Sequence, residues 1–207
     1  MARIRYAVVV LCAAAMLTAS AAAQNNEISG AIGRIFISDQ GVPGTFLADS
    51  NIHFGDQLSY ELNYGHRFVD IGVAALTVEV PFVFSIDQKV NFTLGNVPKS
   101  FNSYFLTPSA RINFFPNAGF SPWISGGGGF GRFAESSELE DGSHNSGSTG
   151  TTVGAAQLGV GLDVRLLRSV MLRGEVRDLY SGKVQLNVNP QSKQHNIFAG
   201  IGLSWRF

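Results

Sequence analysis

Charged side chains recur at every second position in several segments of this chain. Arg173, Glu175 and Arg177 are the clearest example, and they could be taken for a catalytic cluster. Residues two apart lie on the same face of a β-strand, so these three form one stripe along a single strand. The spacing therefore favours a row of ion pairs over a catalytic site.

A glycine motif offers a second candidate chemistry. Gly126, Gly128 and Gly131 fit the G-x-G-x-x-G pattern of dinucleotide-binding proteins. That pattern needs a helix directly after the glycines, within a βαβ unit. The residues that follow, RFAESSELEDG, lead instead into a polar loop. We therefore predict no cofactor site, and expect the glycines to mark close packing or a bend within a strand.

The histidines supply the remaining candidates. His53, His66, His144 and His195 are far apart in sequence and indicate no shared metal site. His144 lies two residues before Ser146, a pairing that a lipid-modifying hydrolase could use. Both fall within SHNSGS, which is typical of a flexible loop. We predict no enzyme and no catalytic, metal or cofactor residues, and keep the hydrolase as the third alternative.

The first 23 residues have the layout of a cleaved secretory signal. Arg3 and Arg5 precede an apolar run over 6–17, and small residues end at Ala23. An N-terminal membrane anchor is the alternative, although the run is shorter than the ~20 residues that a spanning helix needs. We divide the chain into a signal, 1–23, and one domain, 24–207. The only cysteine, Cys12, falls within the signal.

Composition limits the classes of partner. Without Arg3 and Arg5, the 15 basic residues fall to 13 against 15 acidic ones, a formal charge of −2. Such a balance gives no reason to expect nucleic-acid binding. Charged residues make up 14% of the chain, against about 25% in soluble domains. With 24 glycines and 16 phenylalanines, this suggests that much of the surface does not face water.

Six segments alternate between apolar and polar residues, which predicts β-strands with two unlike faces. They cover residues 58–68, 76–84, 106–114, 156–165, 170–180 and 196–207. Two less regular segments, NEISGAIGRIFIS and SPWISGGGGFGRF, bring the total to eight strands of roughly ten to thirteen residues. The faces of the first are obscured around Arg34, and those of the second by its glycines.

The connections alternate between long and short, which is typical of membrane β-barrels. Long connections are predicted at 39–57, 85–102, 134–150 and 181–195, and short ones at 68–72, 116–121 and 166–169. Aromatic residues fall near the strand ends, as expected for two membrane interfaces. We place Trp123 at the short-turn rim and Phe133 at the long-loop rim. A soluble barrel with its apolar face inward is the alternative.

In lipid the sheet must close, because an open edge would leave backbone groups unpaired. The polar faces then form the interior of an all-β, eight-stranded, antiparallel up-and-down barrel. Ten charged residues are expected inside: Glu61, Arg67, Glu79, Arg111, Asp163, Arg165, Arg173, Glu175, Arg177 and Arg206. Buried charges must be paired, so these residues either plug the barrel or line a narrow conductive path.

The C-terminal strand carries a family resemblance. The chain ends on Leu203, Trp205 and Phe207 in alternation, with Phe207 as its last residue. With the signal and the eight-strand layout, this ending resembles the small bacterial outer-membrane barrels of the OmpA/OmpX type. The resemblance implies that the terminal strand is read by the barrel-assembly machinery. We expect no second domain after the barrel, and therefore no anchoring to the cell wall.

We therefore expect a bacterial outer-membrane protein with short turns in the periplasm and long loops outside. Its expected role is structural or interactional, through four loops. These are Ser38–Gln57, Ser85–Asn102, Ala134–Gly150 and Ser181–His195. A narrow pore for ions or small solutes is the second hypothesis. Expected partners are outer-membrane lipid, the assembly machinery and an extracellular ligand or surface.

Overall fold

The computed structural model describes residues 25–41, 51–92, 97–147, 149–183 and 193–207. The predicted signal lies outside these residues. The strands are β1 Asn26–Ile37, β2 Gln40–Gly41, β3 Asn51–Phe54, β4 Gln57–Asp70, β5 Ala74–Asn91, β6 Ser100–Leu106, β7 Ser109–Phe114, β8 Phe120–Glu135, β9 Gly150–Arg165, β10 Val170–Ser181 and β11 Gln194–Arg206. Within the described part of the chain, no helix is long and apolar enough to cross a membrane.

The strands close into an antiparallel barrel. Consecutive long strands pair with one another, and β11 returns to β1. This closing pair runs in register from Glu27 opposite Arg206 to Ile37 opposite Asn196. Strands β6 and β7 occupy one barrel position, since both pair with β5 and β8. The prediction of an eight-stranded antiparallel barrel is thus confirmed.

The break between β6 and β7 falls at Thr107 and Pro108. Proline has no backbone N–H and cannot donate to a neighbouring strand. Backbone pairing nevertheless continues across the break, because the Thr107 amide donates to Pro81 O at 3.3 Å. The Pro108 carbonyl accepts from the Gly128 amide at 3.1 Å. The barrel wall therefore remains hydrogen-bonded at this point.

The two ends of the barrel differ as predicted. One end has three short connections, at 71–73, 115–119 and 166–169. Gly72 has a φ of 82°, a conformation that other residues rarely adopt, and it lets the first of these turns close. Among the long connections, 85–102 was predicted too long. Strand β5 continues to Asn91, because its outer part pairs with β3 and β6.

The two faces of the barrel wall have opposite character. A broad set of large apolar side chains points outward and is exposed, including Leu62, Tyr64, Val78, Ile112, Ile124, Leu158, Val160, Ile201 and Leu203. A continuous apolar surface of this kind is suited to lipid rather than to water. Strand β1 alternates after all, with Glu27 inside and Arg34 outside. Arg34 obscured the pattern because it points outward and forms an ion pair with Asp56.

Candidate functional site

The barrel interior collects most of the predicted charged residues. Eight of the ten are buried, namely Glu61, Glu79, Arg111, Asp163, Arg173, Glu175, Arg177 and Arg206. Arg67 lies at the short-turn end, where its Nη1 is 3.0 Å from Asp70 Oδ2. Arg165, which was expected inside, is exposed. It is the last residue of β9, where the wall ends and a long side chain can reach solvent.

One ion-pair cluster fills the half of the interior nearer the short turns. Glu27 Oε1 lies 2.7 Å from both Arg111 Nη2 and Arg173 Nη2. Its Oε2 accepts a hydrogen bond from Arg206 Nε at 3.0 Å. Asp163 Oδ1 accepts from Arg173 Nε at 2.7 Å. A single carboxylate therefore joins guanidinium groups from three different strands.

A second cluster surrounds Arg177. Its guanidinium lies 2.8 Å from Glu61, 2.8 Å from Glu79 and 3.1 Å from Glu175. Glu79 also lies 3.1 Å from Arg111, so the two clusters are connected. Buried charges are tolerated when opposite charges lie as close together as they do here. Together the two clusters form a continuous charged layer across the interior.

Trp123 lies inside this charged layer and not at the short-turn rim, so its predicted position was wrong. It is 1% exposed. Its ring faces the guanidinium carbons of Arg111, Arg173 and Arg177 at 5.6, 5.5 and 5.1 Å, which is within cation–π range. Gly161 makes room for it, because a Cβ at that position would collide with the indole.

Glu27 was missed in the sequence, although a signal for it existed. The predicted interior set held six arginines and only four acids, which called for another carboxylate. Glu27 lies two residues before Ser29 on β1, and both side chains are buried. The register places Glu27 directly opposite Arg206 on the closing strand. Counting by twos along β1, with Arg34 taken as outward, would have found it.

An apolar layer lies in the long-loop half of the interior. It includes Ile35, Val83, Phe101, Phe105, Phe133, Leu179 and Phe198, each at most 2% exposed. Phe133 was expected at the outer rim but points inward. Its ring centroid is 5.5 Å from that of Phe105 and 5.8 Å from that of Phe101. This layer was not predicted, because the interior was expected to be polar throughout.

The described parts of the outer loops pack onto this apolar layer. Ile52, Phe92 and Val97 are buried in the same cluster. The amide of Phe92 donates to Glu140 Oε2 at 2.9 Å, and Pro98 forms a β-bridge with Leu139. Two connections from different parts of the chain are thereby tied together above the barrel.

The candidate hydrolase residues lie in the loop between β8 and β9. His144 and Ser146 are both exposed there. Nearby, the hydroxyl and amide of Ser143 hold the pKa of the Asp141 carboxyl below its usual range. No group of three or more His, Cys, Asp or Glu side chains in the described residues is placed to hold a metal ion. The glycine motif lies within β8, where no helix follows it.

The C-terminal strand presents its predicted row to the outside. Leu203 is exposed on the outer face, and the rings of Trp205 and Phe207 lie 5.0 Å apart. The amide of Phe207 donates to Asn26 O at 2.9 Å, and the Asn26 amide donates back to Phe207 O at 3.0 Å. The barrel seam therefore extends to the last residue.

Solved structures with similar folds are small outer-membrane barrels. Neisserial surface protein A has a TM-score of 0.57 at 16% identity, over 89% of this chain and 98% of that one. OprG from Pseudomonas aeruginosa has a TM-score of 0.54 at 14% identity, over 88% and 96%. The N-terminal barrel domain of OprF from the same organism has a TM-score of 0.51 at 15% identity, over 89% and 98%.

Sequence comparison assigns the family. No curated protein matches the chain in sequence. The family model described as the outer membrane protein beta-barrel domain matches residues 9–207, nearly the whole chain. Together with the closed barrel and its apolar outer face, this match shows that the chain belongs to the outer membrane protein β-barrel family and resides in the bacterial outer membrane.

Proposed function

We propose that this protein is a closed barrel that acts at the cell surface through its outer loops. The observation that carries the proposal is the filling of the interior by two successive layers. The charged layer holds Arg177 among Glu61, Glu79 and Glu175. The apolar layer above it is packed with aromatic rings. An ion would have to separate buried ion pairs and then pass closely packed aromatic and aliphatic side chains, which is costly.

Purified, refolded protein is expected to give no steady channels in planar lipid bilayers. The charged layer alone leaves little room, since eight strands enclose an interior that side chains fill. The measurement is single-channel current at high salt, with a known porin in the same bilayers as the positive control. Reproducible unitary steps would reject the closed barrel and support the alternative, a narrow pore for ions or small solutes.

A surface role predicts that the loop between β8 and β9 matters without being needed for folding. We expect replacement of residues 136–147 by a short Gly-Ser linker to leave the heat-dependent gel shift of the barrel intact. Cells carrying this variant are expected to adhere less, to one another or to a surface, than cells carrying the unaltered protein. A matched variant with the turn 166–169 replaced by Gly-Ser is the control. If cells carrying the loop variant and cells carrying the turn variant adhered equally well, the surface role would be contradicted.

We also propose that the terminal strand is the segment that the barrel-assembly machinery reads. Its support is the aromatic pair at the end of β11, where Trp205 and Phe207 face outward. Deletion of Phe207 is expected to lower the amount of protein in the outer membrane several-fold. Phe114→Ala, which removes another outward aromatic ring near the short-turn end, serves as the control. Normal outer-membrane levels of the deletion variant would reject this role.

A further inference from the structure

A polar cavity of about 320 Å³ opens at the short-turn end of the barrel. Four arginines line it, Arg67, Arg165, Arg168 and Arg206, together with the single acid Asp70. We call this cavity the periplasmic basin, because short turns of outer-membrane barrels face the periplasm. It lies outside the charged layer of the interior, and Arg206 belongs to both.

The positive charge of the periplasmic basin is only partly compensated. Arg67 is paired with Asp70 at 3.0 Å. Arg206 is shared with Glu27 at 3.0 Å, on the inner side. Arg165 and Arg168 are exposed, and no ion pair joins either of them to an acid within the described residues. Two guanidinium groups therefore remain without a counter-charge at the mouth.

Four guanidinium groups around one cavity, two of them without a carboxylate partner in the described part of the chain, make its mouth electropositive and favour the binding of an anion. Guanidinium groups present planar pairs of N–H donors that match the oxygens of a phosphate. Asn117 at the same wall adds a neutral polar group. We propose that the periplasmic basin binds a phosphate group, carried either by a soluble periplasmic phosphate ester or by the headgroup of an inner-leaflet phospholipid.

The basin is closed at its inner end, so a bound phosphate stays at the mouth. Arg206 Nη1 donates to Pro116 O at 3.3 Å, and its Nε donates to Glu27. These bonds hold the floor of the cavity in place. Because the periplasmic basin lies at the end opposite the outer loops, the proposal does not depend on whether those loops act at the cell surface.

Two variants with the same loss of charge test the proposal. Arg165→Gln/Arg168→Gln removes the two uncompensated cations of the periplasmic basin. Arg34→Gln/Arg132→Gln removes two exposed arginines from the opposite end of the barrel. Both pairs lie on the surface, so both variants should fold, as checked by the heat-dependent gel shift.

The first measurement is calorimetric titration with glycerol 3-phosphate, with the protein in a phosphate-free maltoside detergent. The second is native mass spectrometry of protein released from bilayers that contain phosphatidylglycerol, which counts retained phospholipid. Each substituted arginine removes a hydrogen bond between charged groups, which corresponds to about tenfold in affinity, so the basin variant should bind about a hundredfold more weakly.

Weakened glycerol 3-phosphate binding in the basin variant alone would identify a soluble ester as the ligand. Reduced phospholipid retention in the basin variant alone, without binding of the soluble ester, would identify the headgroup. Absence of both signals in the unaltered protein would overturn the proposal. An equal effect in the variant at the opposite end would overturn it as well, because general charge would then explain the binding.

Discussion

Glu27→Ala is expected to lower the free energy of unfolding of the barrel by about 3–5 kcal/mol, the usual cost of removing one partner from a buried ion pair. Glu27 contacts Arg111, Arg173 and Arg206 at 2.7, 2.7 and 3.0 Å. A buried carboxylate that loses its partner can take up a proton, whereas arginine cannot give up its charge. Loss of this acid therefore leaves the three arginines with only Asp163 and Glu79 as carboxylate partners among the described residues, and an excess of positive charge in this part of the layer.

The control for Glu27→Ala is Glu138→Ala. Glu138 lies 3.4 Å from Lys99 in the outer loops, with both side chains about 60% exposed. Exposed pairs contribute about 0–1 kcal/mol, so this variant should be close to the unaltered protein. Guanidinium unfolding in lipid vesicles, followed by tryptophan fluorescence, measures both. Equal midpoints for the two variants would show that Glu27 does not hold the charged layer together.

Most of the barrel could be predicted because both faces of each strand restrict the residue types, which makes apolar and polar residues alternate. Lipid demands apolar residues on the outer face, and the narrow interior demands residues that can pair or pack. Strands with large side chains throughout, such as β10, therefore show their faces directly in the sequence. In β8 the glycines over 126–129 carry no such information, so Trp123 could not be assigned to a face by counting.

The strand lengths could not be read as well as the faces. Residues 85–91, SIDQKVN, are polar enough to resemble a loop, yet they continue β5. Beyond the membrane, lipid no longer selects apolar side chains, and what extends the strand is pairing with partners that are distant in sequence. His53 and Phe54 on β3 supply that pairing on one side. The alternation of apolar and polar residues therefore predicts the part of a strand that crosses the membrane, but not the residue at which the strand ends.

The apolar layer was missed for a related reason. Alternation separates the two faces of a strand but does not say that the inner face keeps one character along its length. Near the short turns the inner face of β10 carries Arg173 and Glu175, while further out it carries Leu179. The inner face thus changes from charged to apolar within one strand. The interior of a narrow barrel only has to be filled by side chains, and both charged and apolar side chains can fill it.

Trp123→Ala is expected to destabilise the barrel by about 3–5 kcal/mol, the range for removing a large buried aromatic side chain. The loss has three parts. The volume of the indole is left empty between the strands, and three guanidinium groups at 5.1–5.6 Å lose the face of the ring. Its Nε1 also donates to Asp163 Oδ1 at 3.3 Å, and that acceptor would lose a partner.

The other of the two tryptophans, Trp205, provides the matched control. It lies on the outer face of β11, so Trp205→Ala removes contacts with lipid and with Phe207 without opening a cavity in the interior. We expect it to lower the free energy of unfolding clearly less than Trp123→Ala in the same unfolding measurement.

The remaining tryptophan in each variant adds a second readout. Brominated lipids should quench Trp205 in the Trp123→Ala variant but leave Trp123 bright in the Trp205→Ala variant. Strong quenching of Trp123 would mean that the indole faces lipid at the rim, and an interior role for this residue would then be rejected.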